Sequence, residues 1–308
     1  MTNAAAPVEA LPAARAGRRW RDSRPLPLAT VLLALLVIWY AAAIWLNAPQ
    51  VIDIAFRDKP DWTTRELVEA TWSMERPILP APHQIAEEFY ESVFERDIAS
   101  RRSLAYHATV TASATLVGFA FGIILGVLLA VGIVHVQTLD RSLLPWIIAS
   151  QTIPILAIAP MIIVVLGNIG FTGLLPKAII SMYLCFFPVA IGMVKGLRSP
   201  DPLQLDLMRT YSASPAQVLW KLRNPASVPF LFASLKVAIG ISLVGAIVGE
   251  LPTGAQEGIG ARLLSGSYYG QTIQIWSALV MAALLGMVLV ALVALAERAT
   301  LRFMGAGR

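Results

Sequence analysis

The chain has 308 residues, of which 57% are hydrophobic and 14% charged, where an average soluble domain carries about 25% charged residues. Its length would accommodate about two soluble domains, but a chain with mean hydropathy +0.68 has too few charges to cover their surfaces. A formal net charge of +5 would suggest nucleic acid if the basic residues gathered on one soluble face; they are scattered between apolar runs, which excludes that partner and points to membrane topology.

Residues 1–24 are rich in Ala and Pro and read as a disordered tail, with arginines at 15, 18, 19, 21 and 24. The apolar run Leu26–Leu46 follows and places a first membrane helix over 25–47. It exceeds the apolar core of about 7–15 residues in a signal peptide, so it reads as an uncleaved helix with its N-terminus in the cytoplasm. Residues 48–104 hold eleven acidic and seven basic residues and form an external loop. An amphipathic helix is expected within it, with Ile85, Phe89, Val93 and Phe94 on one face.

Ser103–Leu139, Ser142–Pro176 and Leu263–Ala296 contain no Asp, Glu, Lys or Arg, and each can cross about 30 Å of hydrocarbon. The predicted spans are 105–134, 143–166, 172–194, 228–249 and 273–296, giving an all-α polytopic membrane protein of six transmembrane helices. Its core covers 105–296, and a short tail over 297–308 returns to the cytoplasm. On this topology the cytoplasmic segments hold fourteen Lys or Arg, while the outer loops after the first hold Lys177 and Arg262; that is the positive-inside pattern. The single cysteine, Cys185, excludes an internal disulfide or a cysteine metal cluster.

Small residues recur every fourth position at Gly118, Gly122 and Gly126, at Gly192 and Gly196, and at Gly245 and Gly249. Such faces allow close helix packing within the chain or form a dimer seam. Pro145, Pro154 and Pro160 interrupt the third span, and a bent helix at membrane depth is tolerated where protein or a cavity satisfies the freed carbonyls. That makes Gln151, Thr152, Pro154 and Pro160 candidates for the wall of a translocation path. Lys236, inside the fifth span, either snorkels to the cytoplasmic surface or takes part in gating. Glu250, at the end of that span, is either an exposed helix-end carboxylate or a contact in an outer vestibule. His83, His107 and His135 lack metal-ligand spacing, and no metal site is expected.

The cytoplasmic loop 197–227 differs from the rest. Ser199 or Asp201, with Pro200 and Pro202, starts a helix that continues through Leu205–Tyr211. Ser212-Ala213-Ser214-Pro215 breaks it and starts a second, Ala216–Leu222, which Pro225 ends before the chain returns to the membrane. Leu205, Met208 and Tyr211 are its expected contact face. The segment resembles the coupling loop of permease subunits of ATP-binding-cassette importers, in which Glu-Ala-Ala, three residues, Gly, nine residues, Ile, one residue and Leu-Pro follow in order. Here Asp206-Leu207-Met208, then Arg209-Thr210-Tyr211, then Ser212, and after nine residues that begin with Ala213 and Ser214, Leu222-Arg223-Asn224-Pro225, keep that spacing. The departures are Asp for Glu, Leu-Met for Ala-Ala, Ser for Gly and Asn for Leu.

From about Pro80 onward the chain is similar to permeases for nitrate, sulfonate or taurine, a group that includes pyrimidine-type precursors. The resemblance implies a bacterial inner-membrane homodimer in contact with lipid, two cytoplasmic ATP-binding-cassette ATPase subunits holding ATP and Mg, and an external solute-binding protein. This chain itself would hold no cofactor and no catalytic residue. Its five lysines are followed by Pro, Ala, Gly, Leu and Val, not by the Ser or Thr of a phosphate-binding loop. The alternatives are an ion-gradient-driven carrier or channel, for which buried ionisable groups or repeated halves are expected, and an intramembrane enzyme, for which no Ser/His/Asp order or carboxylate pair is present.

Overall fold

The computed structural model describes residues 25–57, 59, 61–252 and 257–305, so the predicted tail over 1–24 and the last three residues lie outside the described part. The described residues form helices joined by short loops, with no strand. An apolar chain in lipid must satisfy its backbone groups locally, and the helix does so within one segment. Among the described residues five helices are long and apolar enough to cross a membrane, and a bent pair makes a sixth if it is a single broken span. The chain is an all-α polytopic membrane protein.

Two units divide it, the first ending at Met74. The first contains α1 (Pro25–Ala55), which runs past the predicted end with Pro49 inside it, and α2 (Thr64–Trp72). A capping box starts α2: Thr63 Oγ1 accepts from the Glu66 N–H at 3.3 Å, and Glu66 Oε2 accepts from the Thr63 N–H at 3.0 Å. The Thr63 amide, with Lys59 adding to it, holds the Glu66 carboxyl below its ordinary pKa. Tyr40 of α1 meets Trp72 of α2 edge-on, with ring centroids 5.2 Å apart.

The second unit begins with α3 (Pro82–Tyr90), which widens into a π-helical turn at Glu91–Glu95. Ile85, Phe89 and Val93 turn inward as expected, with Phe89 and Val93 packing against Leu104 and Ile259. Phe94 does not join them and is 69% exposed. Nine residues from Ile85 is half a turn out of phase on a helix of 3.6 residues per turn, and Ser92 takes the inward place.

Next come α4 (Leu104–His135), α5 (Gln137–Ser150), α6 (Ile155–Asn168) and α7 (Leu174–Leu197). Then follow α8 (Pro202–Thr210), α9 (Pro215–Val218), a π turn at Leu219–Arg223, α10 (Asn224–Glu250), α11 (Ile259–Tyr268) and α12 (Thr272–Phe303). Helix α7 lies between α4 and α10, and the three glycine stripes make that packing possible. A Cβ on Gly122 would sit 2.1 Å from Cys185 Sγ, one on Gly118 2.5 Å from Ser181 Cβ, and one on Gly126 2.9 Å from Val189 Cβ. Gly245 and Gly249 of α10 face Ser181 and Lys177, and Gly192 and Gly196 of α7 face Ser234 and Ser227. All three stripes are therefore occupied by neighbours within the chain. A buried hydroxyl thread crosses the same triplet: Ser181 Oγ donates to the Ser242 carbonyl at 2.8 Å, and Ser242 Oγ donates to the Thr115 carbonyl at 3.0 Å. Helix α12 covers α10 through Leu289 against Ile239 and Leu243.

Two expectations are corrected here. The third predicted span is not one helix: α5 and α6 meet at 99°. Of its three prolines only Pro154 makes the break, as the extended N-cap of α6, while Pro145 and Pro160 lie inside helices. Nor does Pro225 end a helix. It occupies the first turn of α10, and the chain is helical from Pro215 to Glu250. The π turn just before it bonds from i to i+5, which offers a local adjustment where proline removes an amide donor.

Candidate functional site

Three places carry the residues singled out by the sequence. The first is the α8–α9 knob between α7 and α10. Asp201 caps α8 by accepting the Leu203 N–H at 2.8 Å, with Pro202 at the first helical position. Asp206, Leu207, Met208, Arg209 and Thr210 lie on α8, Ser212, Ala213 and Ser214 form the turn, Leu222 lies in the π turn and Pro225 opens α10. The turn ends α8 in a Schellman motif. The Ala213 N–H donates to the Met208 carbonyl at 3.0 Å and the Ser212 N–H to the Arg209 carbonyl at 2.8 Å. Ser212 stands at φ +50°, in the left-handed region that favours glycine. Ser214 starts α9 with a capping box to Gln217.

The exposed apolar face of the knob differs from the expected one. Leu205 and Met208 are half-buried, whereas Leu203, Leu207 and Tyr211, spaced four apart, stand out, with Tyr211 77% exposed, and Trp220 in the π turn is also exposed. Asp206 pairs with Arg209 at 2.9 Å on the same helix. The knob is tied to the core where Arg223 Nη1 donates to the Leu197 carbonyl at 3.3 Å. Arg198, just after α7, pairs with Asp140 of α5 at 2.9 Å. Beside these ties a groove of about 480 Å³ is lined by Leu144, Ile191, Val194, Lys195, Arg198, Ser199 and Phe230.

The second place is the α5–α6 bend, which carries Gln151, Thr152 and Pro154, with Pro160 one turn into α6. Tyr183 of α7 anchors it by donating to the Ser150 carbonyl at 2.5 Å. Lys236 and Glu250 belong elsewhere. Lys236 forms an ion pair with Glu297 of α12, a partner the sequence reading left just beyond the sixth span.

The third place is a buried polar cluster at the end of the core opposite the knob. Glu250 is 0% exposed, so its reading as an exposed helix-end carboxylate is overturned. Thr111 Oγ1 of α4 lies 3.0 and 2.9 Å from its two oxygens, and the Gly260 N–H donates to Oε2 at 2.9 Å. Lys177 Nζ of α7 lies 3.8 Å from Oε1 and donates to the Glu257 carbonyl at 2.8 Å. The Ile259 N–H donates to Thr111 Oγ1 at 2.8 Å. His107 Nδ1 accepts the Gly258 N–H at 2.9 Å, and its Nε2 faces the Arg101 carbonyl at 2.8 Å. One donor and one acceptor fix the neutral tautomer with the proton on Nε2. Gly258 stands at φ +114°, and a Cβ there would lie 2.1 Å from the Glu250 carboxyl carbon. On α11, burial lowers the Arg262 guanidinium from its usual pKa, with Arg96 adding to the effect.

Sequence reasoning missed His107, Thr111 and Lys177 in this cluster because each sits singly in an apolar run. The available signal was Gly258-Ile259-Gly260, two glycines opening a short helix soon after a carboxylate at a helix end, which offers unpaired amides to that carboxylate.

The described residues thus form a multi-pass helical protein with a polar two-helix segment between α7 and α10, and comparison with known proteins shows its family. Residues 122–303 match the family described as the binding-protein-dependent transport system inner membrane component. The chain is 31% identical over 184 residues to the formylaminopyrimidine transport permease protein ThiX of Halalkalibacterium halodurans, covering 59% of this chain and 68% of the relative. It is 30% identical over 226 residues to the riboflavin transport system permease protein RibX of Chloroflexus aurantiacus, covering 73% and 80%. It is 26% identical over 220 residues to the nitrate import permease protein NrtB of Leptolyngbya laminosa, covering 69% and 75%. The chain belongs to this family of permeases of ATP-binding-cassette importers.

Proposed function

We propose that this chain is the inner-membrane permease subunit of an ATP-driven importer, that it forms the path of a small solute as a homodimer, and that a separate ATPase docks on the α8–α9 knob. The observation that carries the reading is the exposed apolar face of Leu203, Leu207 and Tyr211, with Trp220, on a polar two-helix segment. Apolar side chains grouped on such a segment mark an interaction surface. The knob leads without a break into α10, and the ties from Arg223 and Arg198 reach α7 and α5. ATP-driven closure of two ATPase subunits would displace both knobs, tilt these spans and change which side of the path is open. The α5–α6 bend, with Gln151 and Thr152, is its proposed polar wall.

The positive-inside count supports a cytoplasmic knob and termini with α11 on the outer side, where a solute-binding protein would deliver its cargo. The relatives' names span a pyrimidine, a flavin and an inorganic anion, so we assign selectivity to that binding protein. The experiment is capture of the ATPase by affinity-tagged permease from co-expressing membranes. Leu203→Asp with Leu207→Asp is expected to abolish capture while membrane insertion persists; undiminished capture would overturn the assignment of the docking face.

A further inference from the structure

The cluster around Glu250 lies at the far end of the helical segment that starts in the knob. From Pro215 to Glu250 the chain is one run of 36 residues, roughly 54 Å at 1.5 Å per residue. Its last residue is a carboxylate with no solvent exposure, and its hydrogen-bond donors come from two other elements. The Gly260 amide belongs to the first turn of α11, and the Thr111 hydroxyl belongs to α4 and in turn receives the Ile259 amide of α11. Backbone contact reinforces this joint, because a Cβ on Gly260 would lie 2.3 Å from the Ile247 carbonyl oxygen. Removing the carboxylate would leave the buried Gly260 amide without an acceptor and leave the Thr111 hydroxyl only the His107 carbonyl at 3.1 Å, and a buried donor is expensive to leave unmade.

We infer that Glu250 is a positioning residue for transport: through Thr111 and Gly260 it latches α11 to the end of α10, so that α11 moves with α10 when the knob is displaced. The inference rests on the reading that an ATPase acts on the knob. It assigns to α11 the part of the path that responds to nucleotide at the end opposite the ATPase.

The test uses the complex of this chain, its ATPase and its binding protein in proteoliposomes, comparing Glu250→Gln, Thr111→Val and Thr111→Ser. Thr111→Ser keeps the hydroxyl and is expected to transport as wild type. Glu250→Gln and Thr111→Val are expected to assemble and hydrolyse ATP within about two-fold of wild type while uptake falls about ten-fold, a loss of coupling between sites. A bimane label on Tyr268→Cys reports α11 directly, since Cys185 is buried. Its emission should shift on vanadate trapping in wild type and stay fixed in Glu250→Gln. Wild-type uptake in both latch variants would overturn the proposal, as would loss of assembly and hydrolysis in step with uptake, which would mark a merely structural role. A wild-type complex with no ATP-driven uptake would overturn the reading beneath it and the proposal together.

Discussion

Ser212 is an L-residue at φ +50°, where a side chain costs about 1–2 kcal/mol relative to glycine. The strain explains why the resembled motif has glycine there: the Schellman turn needs a left-handed residue to aim α8 back toward α9. Ser212→Gly should therefore keep ATPase capture and raise the thermal stability of the detergent-purified complex by about 1 kcal/mol. Ser212→Val, β-branched in the same conformation, should insert normally and lose most capture; equal capture by both variants would disconnect the turn from docking. Lys236 and Glu297 form a second residue-scale test. Lys236 was legible as a cation that must reach a polar partner, but its partner was not, because Glu297 stands one residue beyond the predicted span. Glu297→Gln alone should lower thermal stability, since it removes the carboxylate paired with the Lys236 ammonium between α10 and α12. Lys236→Met with Glu297→Gln should recover most of the loss, and a double variant no better than the single one would show that the pair is not energetically coupled.

At the scale of elements, what could be read was set by the physics of lipid. Charge-free runs long enough to cross the hydrocarbon had to be helices, and α4, α7, α10 and α12 fall within several residues of expectation. Short elements with no such requirement were missed: α2, although Thr63 and Glu66 spell its capping box, and α11, whose role depends on a carboxylate ten residues upstream. The α5–α6 pair shows a different limit. Its prolines promised irregularity, yet only Pro154 breaks the chain, since a proline at a helix start needs no amide bond while Pro145 and Pro160 are accommodated within their helices. A bend of 99° fits either a broken span or a re-entrant loop, and charge favours the first: Arg141 lies near the start of α5 and Lys177 after the pair, with the cytoplasmic excess on the side of Arg141. We predict a broken span. Cysteines placed at Thr138 and at Phe171, in a Cys185→Ala background, should react with an impermeant maleimide from opposite sides of the membrane; labelling from the same side would establish the re-entrant form.

For the whole molecule the question is the energy source, and of the ionisable residues within the predicted spans, His107, Lys177 and Lys236, Lys236 alone reads from the sequence as clearly intramembrane. The structure places more of them in the core, yet each is engaged. Lys236 meets Glu297, Lys177 is held by the Glu257 carbonyl and stands near Glu250, and His107 uses both ring nitrogens on backbone groups. Proton- or ion-coupled carriers use ionisable groups that face a cavity and exchange partners; these groups tie helices to one another and to adjoining loops instead. The family match is to permeases of importers, and under the proposed reading energy input belongs to a partner ATPase on the knob. Uptake by the complete complex should therefore require ATP on the side of the knob, and collapsing the proton and sodium gradients with ionophores should leave it within about two-fold of the untreated rate, well below the changes expected when a true coupling is removed. The permease reconstituted alone should show no concentrative uptake under an imposed gradient. Gradient-driven uptake by the permease alone, abolished by ionophore and indifferent to ATP, would make it a secondary carrier, with the knob a surface for some other partner.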